Sequence, residues 1–534
     1  MMNNNVTNNS NRINEELHME LSLLKQQNAE LLAKLKWFEE QILLGRNNRF
    51  GMSGDKVQYI GQLDISSITD EPNVFNEAEV TANIAEKEPE IEEITYKRRK
   101  KSGSRQEKFE NIPAETIEYT LEGKDLECPQ CGGERHVMGQ EVTSELVVIP
   151  AQLKVINHVR HKYGCRDCEK NEITTPIDVA PMPKRALPGS PASASAIAYI
   201  MTLKFVDSMP LYRQEKHFER LGISFSRQTM SNWMLMASEK WLKILYERMK
   251  EHLLSKDILH ADETRLQVLR EPERTAEKQS YMWLYRTGRE GPPIILFEYQ
   301  TTRSGKHPKK FLADFKGYLH VDGYGGYECL TNVILCACWA HSRRKFCDAL
   351  KILPVGKRDA DVASNKGLEF CNKLFEIEKI LKDEPPEKRY LARIEKSKPV
   401  LDEFREWLNY HSARALPKST FGKAVKYCRN QWHKLTAFLK DGRLEIDNNR
   451  SERSIKPFVI GRKNFLFCNT PRGANASATI YSIVETAKEN GLNPFQYLKY
   501  LFEKMPNIDI EDKSAIDELM PWSTVLPDVC RIQK

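Results

Sequence analysis

Three acidic residues in this chain have the types and the spacing that phosphodiester chemistry needs. Asp262 and Asp322 each follow a short apolar run typical of a strand, and Glu452 lies near the start of a predicted helix. Two strand-end aspartates and one helical glutamate can hold a hard divalent cation, Mg²⁺ or Mn²⁺, and like charges this close are unfavourable without one. A lone aspartate at a strand end is usually a cap or a surface charge. The prediction of one site for two metal ions beside a phosphodiester therefore rests on all three acids together.

Polar and basic side chains accompany these acids. Asn449 and Arg453 flank Glu452, and His341 follows the second acid; these three are predicted as auxiliary residues near the site. His341 is expected to pack below the site, with contact to DNA or the scissile phosphate as the alternative. Arginine and lysine side chains in the same segments can reach phosphates. The residues predicted to bind DNA are Arg227, Gln228, Arg343, Arg344, Arg450, Lys456, Arg462 and Lys463.

Four of the twelve cysteines have the spacing of metal ligands. Cys128 and Cys131 form one Cys-x-x-Cys pair, and Cys165 and Cys168 form the second, with a β-rich stretch between the pairs. Two such pairs complete a closed tetrahedral set of thiolates around a structural Zn²⁺, and a ribbon with a small core needs its metal. A redox pair would not need the second pair, and a closed ligand set argues against a catalytic zinc. We predict a zinc-binding ribbon over 111–180.

The elements that must bring the three acids together are predicted between residues 255 and 490. A mixed sheet with helices there resembles the ribonuclease H fold, with Asp262 at the end of the first strand beside Asp322 at the end of the fourth. Because no structureless loop should separate Asp322 from Glu452 by so many residues, we predict a helical insertion at 360–445 that folds back to deliver Glu452. The predicted strands cover 257–262, 280–287, 293–302, 318–322 and 333–338, with helices at 309–315 and 341–350.

The other segments indicate a multidomain α+β protein. A heptad pattern over 13–45 predicts a coiled coil that pairs two protomers; the alternative is one amphipathic helix docked on its own protein. A basic loop and an acidic linker occupy 46–110. At 190–250, two helices, a glycine turn and a third helix capped by Ser226 favour a helix-turn-helix DNA-binding region over an ordinary helical bundle. Residues 491–534 are assigned to a C-terminal tail.

Length and charge limit the class of protein. A chain of 534 residues is too long for one ordinary core and should split into several domains. Its net charge is +7 although residues 64–95 hold ten acids and one lysine, so the rest of the chain suits a polyanionic partner. Neither a signal peptide nor an apolar run long enough for a membrane span is evident, so we expect a cytoplasmic, nucleoid-associated protein without membrane partners.

Motifs along nearly the whole chain, taken together, resemble one family: the DDE transposases of bacterial insertion sequences in the IS66 family. Most of these motifs are weak singly, but their joint order is highly specific. The acidic linker is the least family-like stretch. The matching stretches are the start of the heptads, Phe50-Gly51-x-Ser53, both cysteine pairs, Pro210–Gln214, His260–Thr264, Asp322–Tyr324, Cys338–Phe346, Asp447–Arg453, Gly461–Asn464 and Asn493–Leu498.

The resemblance implies a function. Family members carry their catalytic triad at the positions of Asp262, Asp322 and Glu452, cleave DNA at the ends of the insertion sequence, and transfer the 3′-hydroxyl ends to target DNA with Mg²⁺. It also implies that the DNA bound is the terminal inverted repeats and that small accessory proteins of the same element take part. The coiled coil would supply the homodimer or higher oligomer that pairing of two ends requires. The spacing of Cys338 and His341 resembles an auxiliary motif of several DDE groups.

Two other functions use the same features. A non-catalytic DNA-binding regulator built on the zinc ribbon and the helix-turn-helix would be expected to lack at least one of the three acids, and all three are present. A structure-specific nuclease without strand transfer would keep the same acids, because cleavage and transfer are both displacements at phosphorus. The sequence therefore favours a transposase over the regulator and leaves the nuclease as an alternative.

Overall fold

The structure, a computed structural model, describes residues 152–163, 178–353 and 362–532. The predicted coiled coil at 13–45, the linker at 46–110 and the four cysteines predicted to bind zinc lie outside these residues. Near the start of the described chain, β1 (Lys162–Tyr163) and β2 (Asp178–Val179) form a short antiparallel pair. The residues from Leu153 to Ile532 belong to one compact unit.

Among the described residues, four α-helices precede the main sheet, and serine hydroxyls begin two of them. Ser193 accepts a hydrogen bond from the backbone N–H of Ala196 at 3.2 Å, and Ser226 accepts one from that of Thr229 at 3.1 Å. These acceptors satisfy N–H groups that a first helical turn leaves without partners. The predicted N-cap at Ser226 is confirmed. The helices are α1 (Ala194–Phe205), α2 (Leu211–Arg220), α3 (Arg227–Ala237) and α4 (Lys243–Leu254), with a π-helical turn (Ser238–Leu242) before α4.

A five-stranded sheet with the strand order β5-β4-β3-β6-β7 lies at the centre of the described chain. β3 pairs antiparallel with β4 and β4 with β5, whereas β6 runs parallel to β3 and β7 parallel to β6. Both faces of β4 are covered, since Met282, Trp283, Leu284 and Tyr285 are buried in succession. All five predicted strands are present. The elements are β3 (Ile258–Gln267), β4 (Gln279–Thr287), β5 (Ile295–Gln300), α5 (Lys306–Phe311), β6 (Gly317–Val321), a 3₁₀ turn (Gly325–Cys329), β7 (Val333–Ala337) and α6 (Trp339–Lys351).

The prediction that Asp262 ends the first strand is wrong. β3 continues to Gln267, because its antiparallel pairing with β4 extends over the whole strand. Its parallel pairing with β6 stops much earlier, at His260 and His320. Asp262 therefore lies within β3, two residues beyond the last pair with β6, while Asp322 directly follows β6 as predicted.

The residues predicted as a helical insertion do form helices, and these helices have an apolar core of their own. The rings of Phe370 and Phe404 stack with centroids 4.8 Å apart, and Trp339 and Phe346 of α6 join the same cluster. The main core instead combines the sheet with the helices before it and after the insertion. The helices of the insertion are α7 (Ala363–Ile380), α8 (Pro386–Ala392), α9 (Lys398–Ser412), α10 (Thr420–Asn430) and α11 (Trp432–Leu435), with a π-helical turn (Arg393–Ser397) and a 3₁₀ turn (Ala437–Leu439).

A buried arginine ties the end of this insertion to its helices. The Arg393 side chain, 1% exposed, makes two hydrogen bonds of 2.7 Å to the carboxylate of Glu378. The same guanidinium donates to three backbone carbonyls in the segment that leads out of the insertion, those of Phe438, Asp441 and Leu444. A few residues on, the carbonyl of Ile446 accepts from the N–H of Trp339, so the chain returns beside the start of α6.

Helices after the insertion cover the sheet and complete its edge. β5 is an edge strand, and the hydroxyl of Thr486 accepts from the N–H of Ile295 at 2.9 Å and donates to its carbonyl at 3.0 Å. Ser482 accepts from the N–H of Phe297 at 2.8 Å. These contacts replace the ladder that a neighbouring strand would supply. The helices are α12 (Asn449–Phe465), α13 (Pro471–Glu489), α14 (Pro494–Lys504) and α15 (Lys513–Asp517), with 3₁₀ turns at Met505–Asn507 and Asp528–Cys530.

Replacement of the buried arginine tests how the insertion is anchored. We expect Arg393→Met to lower the free energy of unfolding by about 3–5 kcal/mol, because it leaves the Glu378 carboxylate and three carbonyls without their cationic donor. Urea denaturation followed by tryptophan fluorescence measures the change. Arg405→Met, on the exposed side of α9, is the matched control and should change stability by no more than about 0.5 kcal/mol. Equal stabilities for the two variants would contradict the anchoring role.

Candidate active site

Strand register places two of the predicted acids side by side. β3 and β6 pair in parallel through Leu259 with Leu319 and His260 with His320. Asp262 and Asp322 each stand two residues further along, and side chains two residues apart lie on the same face of a strand. Backbone amides orient both carboxylates: the N–H of the next residue donates to Asp262 Oδ1 at 2.8 Å, and the N–H of Tyr324 donates to Asp322 Oδ1 at 2.8 Å.

The third predicted acid, Glu452, enters from the first turn of α12, which packs against β3. Its Oε1 lies 3.7 Å from Nδ1 of His341, and its Oε2 lies 3.8 Å from a guanidinium nitrogen of Arg344. Burial raises the pKa of Asp262 well above its usual range, and the nearby carboxylates of Glu263, Asp322 and Glu452 raise it further. The structure thus brings the three acids into one region, at a cost that a cation would relieve.

Two histidines that sequence reasoning left out of the site lie buried directly below the acids. The rings of His260 and His320 stack with centroids 4.3 Å apart and planes 13° from parallel. Burial and the charge of His260 lower the pKa of His320 well below its usual range, so its ring is neutral. The sequence did contain a signal for this pair, since the pattern His-x-Asp occurs at both strands, as His260 before Asp262 and His320 before Asp322.

A half-buried glutamate, also missed, closes this polar layer. Glu445 Oε2 lies 3.2 Å from Nε2 of His260, and the backbone N–H of Glu445 donates to Nε2 of His320 at 3.4 Å. Burial opposes the charge of Glu445, but hydrogen bonding and charge from His260 and Arg450 outweigh it and hold the pKa of Glu445 well below its usual range. Arg450, predicted to bind DNA, donates to this carboxylate at 2.8 Å.

Asn448 connects the layer to the helix that carries the third acid. Its side chain, in a residue only 1% exposed, donates to the carbonyl of Ala261 at 2.9 Å and accepts from Nδ1 of His260 at 2.9 Å. Its backbone N–H donates to Sγ of Cys338 at 3.2 Å. One residue thereby joins β3, the start of α6 and the start of α12, which fixes Glu452 one turn further along.

Cys338, His341 and Glu452 are a second group that could hold a metal ion, because one ligand atom from each lies within 4.8 Å of the others. Burial raises the pKa of the Cys338 thiol to about 12, and its sulfur already accepts the N–H of Asn448. Since the thiolate is the form that binds metal, this trio is a poorer ligand set than three carboxylates. Burial also lowers the pKa of His341 despite the Glu452 charge, which fits a packed rather than a solvent-facing ring.

The predicted DNA-binding residues that lie outside α12 contact other side chains of the protein. Arg227 lies 3.2 Å from the carboxylate of Glu215 in α2, and Gln228 donates to Asn232 at 2.9 Å on the exposed side of α3. Arg343 donates to Asn372 of the insertion at 2.7 Å.

Within α12, the predicted basic and auxiliary residues divide between two sides. Arg453, Lys456 and Lys463 are exposed, and their spacing places them on one face of the helix, next to the face of Glu452. Arg462 lies on the side of the helix that faces β3 and donates to the hydroxyl of Thr264 at 3.2 Å. The remaining auxiliary residue, Asn449, is occupied by the carboxylate of Asp447, to which its side chain donates at 2.8 Å.

Comparison with known proteins places this chain among transposases of insertion sequences. The chain matches the zinc-finger binding domain of transposase IS66 over residues 125–169 and the IS66 C-terminal element over 482–522. It matches the transposase IS66 family over residues 189–476, more than half of its length, and the chain belongs to that family.

Relatives from Sinorhizobium fredii agree with this membership. The uncharacterized protein y4jD is 31% identical over 420 residues, which cover 76% of this chain and 79% of the relative. The uncharacterized protein y4hP is 30% identical over 414 residues, which cover 74% of this chain and 73% of the relative.

Membership implies a DNA-binding transposase, a nuclease of the transposase type that uses a divalent metal, and the matched zinc-finger region indicates zinc binding. Among the helices of the described residues, none is long and apolar enough to cross a membrane.

The connection made by Asn448 can be tested by truncation. We expect Asn448→Ala to lower the free energy of unfolding by about 1–3 kcal/mol, because the buried carbonyl of Ala261 and Nδ1 of His260 both lose a partner. Chemical denaturation measures the difference. The control is Asn409→Ala on the exposed side of α9, which should stay within about 0.5 kcal/mol of the parent. A variant at Asn448 as stable as the control would show that α12 is held in place by other contacts.

Proposed function

We propose that this chain is a DNA transposase that cuts at the ends of its insertion sequence and joins the 3′-hydroxyl ends to target DNA, with Asp262, Asp322 and Glu452 as its catalytic residues. The observation that carries the proposal is the register of β3 and β6, which aligns the first two acids just beyond the last strand pair. Membership in the IS66 transposase family supports the same activity.

The donor set fits Mg²⁺ or Mn²⁺ better than a softer metal. Three carboxylates supply hard oxygen ligands, and the pKa of Asp262, raised by burial and by the neighbouring acids, supports a role for a positive charge at this position. When bound between them, two such ions supply an activated attacking oxygen and a stabilised leaving oxygen. One set of acids can then serve both the cut and the transfer, because both steps are displacements at phosphorus.

The protein's own residues position this set. The amides that donate to Asp262 and Asp322 hold one oxygen of each carboxylate, so the other oxygen keeps a defined direction. His341 and Arg344 flank Glu452 and restrict its side chain. We assign His341 to packing and orientation of Glu452 rather than to proton transfer.

We further propose that residues 255–490 form a ribonuclease H-like core with the insertion at 360–445. The supporting observation is the strand order β5-β4-β3-β6-β7, with three antiparallel strands followed by two that run parallel to β3. The second apolar cluster supports the insertion as a separate addition to that core.

We propose that DNA lies along the exposed basic face of α12, where Arg453, Lys456 and Lys463 can meet phosphates next to Glu452. α2, the turn and α3 are proposed as the helix-turn-helix that reads the terminal inverted repeats, with Gln228 on its exposed side. The coiled coil predicted at 13–45 is proposed to make the homodimer or higher oligomer that pairs two ends, and small accessory proteins of the same element are proposed to assist.

Loss of any one acid should abolish the reaction. We expect Asp262→Asn, Asp322→Asn and Glu452→Gln each to reduce strand cleavage by at least about 1,000-fold, because each removes a metal-binding charge without altering shape. The substrate is a labelled duplex carrying the inverted repeat that flanks the gene, with Mg²⁺ and a plasmid target. Pre-cut ends measure transfer separately, so an enzyme that cuts but does not join would be a structure-specific nuclease.

The matched control is Asp314→Asn, an exposed acid after α5, which should cleave and join at the rate of the parent. Normal joining by Asp262→Asn would overturn the assignment. Asp262→Asn should also raise the melting temperature in metal-free buffer, since it removes one of several clustered negative charges, and should lose the rise that Mg²⁺ gives the parent.

Zinc is proposed to be structural and separate from the acids. We expect Cys128→Ser or Cys168→Ser to lose one zinc ion per chain, because a closed four-thiolate site does not tolerate the loss of a ligand. Native mass spectrometry counts the metal. Cys347→Ser serves as the control and should keep its zinc. Retention of zinc by both pair variants would place the metal elsewhere.

A further inference from the structure

A pocket of about 280 Å³ lies close to Asp322 and carries three arginines. It is formed where β3 has an open edge: pairing with β6 ends at His260, and the chain after α12 rejoins β3 only at Gln267, whose carbonyl accepts from the N–H of Cys468. The residues between these two points form one wall. The pocket is lined by Glu263, Thr264, Arg265, Tyr281, Arg303 and Arg462.

The positive charge of this pocket exceeds its negative charge. Glu263 is the one acid in the lining, and it is already engaged by Arg303 at 2.8 Å and by the hydroxyl of Tyr327 at 2.7 Å. That leaves Arg265 and Arg462, neither of which has an acidic partner within 4.0 Å among the described residues. Both residues line the pocket, and burial together with the charge of Arg265 lowers the pKa of Arg462.

Arg265 and Arg462 bring like positive charges together, whereas the neighbouring acids bring like negative charges together. Two like charges held close without a counter-ion favour binding of the opposite charge. Guanidinium groups are suited to phosphate, because their planar donors form two parallel hydrogen bonds to its oxygens. The pocket is therefore built for an anion of phosphate type.

The location of the pocket relative to the acids indicates which phosphate it would receive. Arg303 belongs to the lining and also lies 3.9 Å from Oδ2 of Asp322, so the pocket adjoins the acids directly. Arg265 is three residues along β3 from Asp262, which is roughly 10 Å at about 3.3 Å per residue, and its side chain leaves the opposite face of the strand. That spacing corresponds to about three nucleotides along one strand of a duplex.

We propose that this pocket binds a backbone phosphate of the DNA strand, within about three nucleotides of the bond that is cut. The ligands are Arg265 and Arg462, and Arg303 links the pocket to the acids. Tyr281, which pairs with Arg265 across β3 and β4, forms the wall behind it. The proposal rests on the proposed function, because only a strand that passes the acids would reach the pocket.

Binding of the inverted-repeat duplex without added Mg²⁺ separates binding from cleavage. We expect Arg265→Gln to weaken binding about tenfold at physiological salt, which is the loss of one charge-assisted contact. It should also reduce the slope of log affinity against log salt by about 0.9, the value for one phosphate. Arg265→Lys keeps the charge and should recover the slope. Arg265 is exposed, so Arg265→Gln should keep the fold, with a melting temperature equal to that of the parent or slightly higher because one of two like charges is removed. Arg405→Gln on α9 should bind as the parent does.

Neutral methylphosphonate substitutions, placed one at a time in the duplex, locate the phosphate. The parent should lose affinity at one position within about three nucleotides of the cut, and Arg265→Gln should be insensitive at that position alone. If Arg265→Gln keeps the sensitivity profile and salt slope of the parent, the pocket proposal is overturned while parent cleavage still supports the transposase. If the parent neither binds nor cuts the duplex, the proposed function itself fails.

A final experiment distinguishes binding of a DNA backbone phosphate from binding of a free anion. Inorganic phosphate alone is titrated while the melting temperature is recorded for the parent and for Arg265→Gln. Stabilisation of the parent only, together with an unchanged methylphosphonate profile, would show that the pocket takes a free anion, and the assignment to DNA would be wrong.

Discussion

The hydrogen bonds of one buried amide support the arrangement of the acids. Asn448 is held at once by the carbonyl of Ala261, the ring of His260 and the sulfur of Cys338. These three partners come from β3 and from the start of α6, segments that precede the insertion. Because Glu452 lies one helical turn after Asn448, its position is set by this contact rather than by the length or shape of the chain between them.

The charged side chains around the site form two layers. Opposite charges are paired in the lower layer, and like charges are clustered in the upper layer. In the lower layer, Glu445 is compensated by His260, Arg450 and Arg289, the last at 3.3 Å. In the upper layer, acids face acids around Asp262, and arginines face arginines beside it. A buried charge that is compensated is tolerated in a fold and becomes costly only when its partner is removed, whereas clustered like charge is retained at a cost in stability. The upper layer therefore has the electrostatics of a site that is completed by cations on one side and a polyanion on the other.

Local patterns in the sequence predicted the five strands, the helical nature of 360–445 and the cap at Ser226. They failed where tertiary pairing decides the outcome. Apolar runs could not show that β3 continues past Asp262, because the extension depends on pairing with β4. The roles of His260 and Glu445 were missed for a related reason: their partners lie 188 and 125 residues away in sequence. That Arg343 and Arg450 bind DNA stays a prediction, but the sequence could not show that these residues also contact Asn372 and Glu445 of the protein itself.

The position of the insertion also has a consequence for the order of events during synthesis. Translation delivers Asp262 and Asp322 early, but the third carboxylate leaves the ribosome only after all the helices of α7 to α11. The hydrogen bond of Asn448 to β3 can therefore form only after the whole insertion has been synthesised. On the proposed assignment, a growing or truncated chain that ends before α12 holds only two of the three acids. Such a chain is then expected to leave DNA uncut, because the third metal-binding charge is missing.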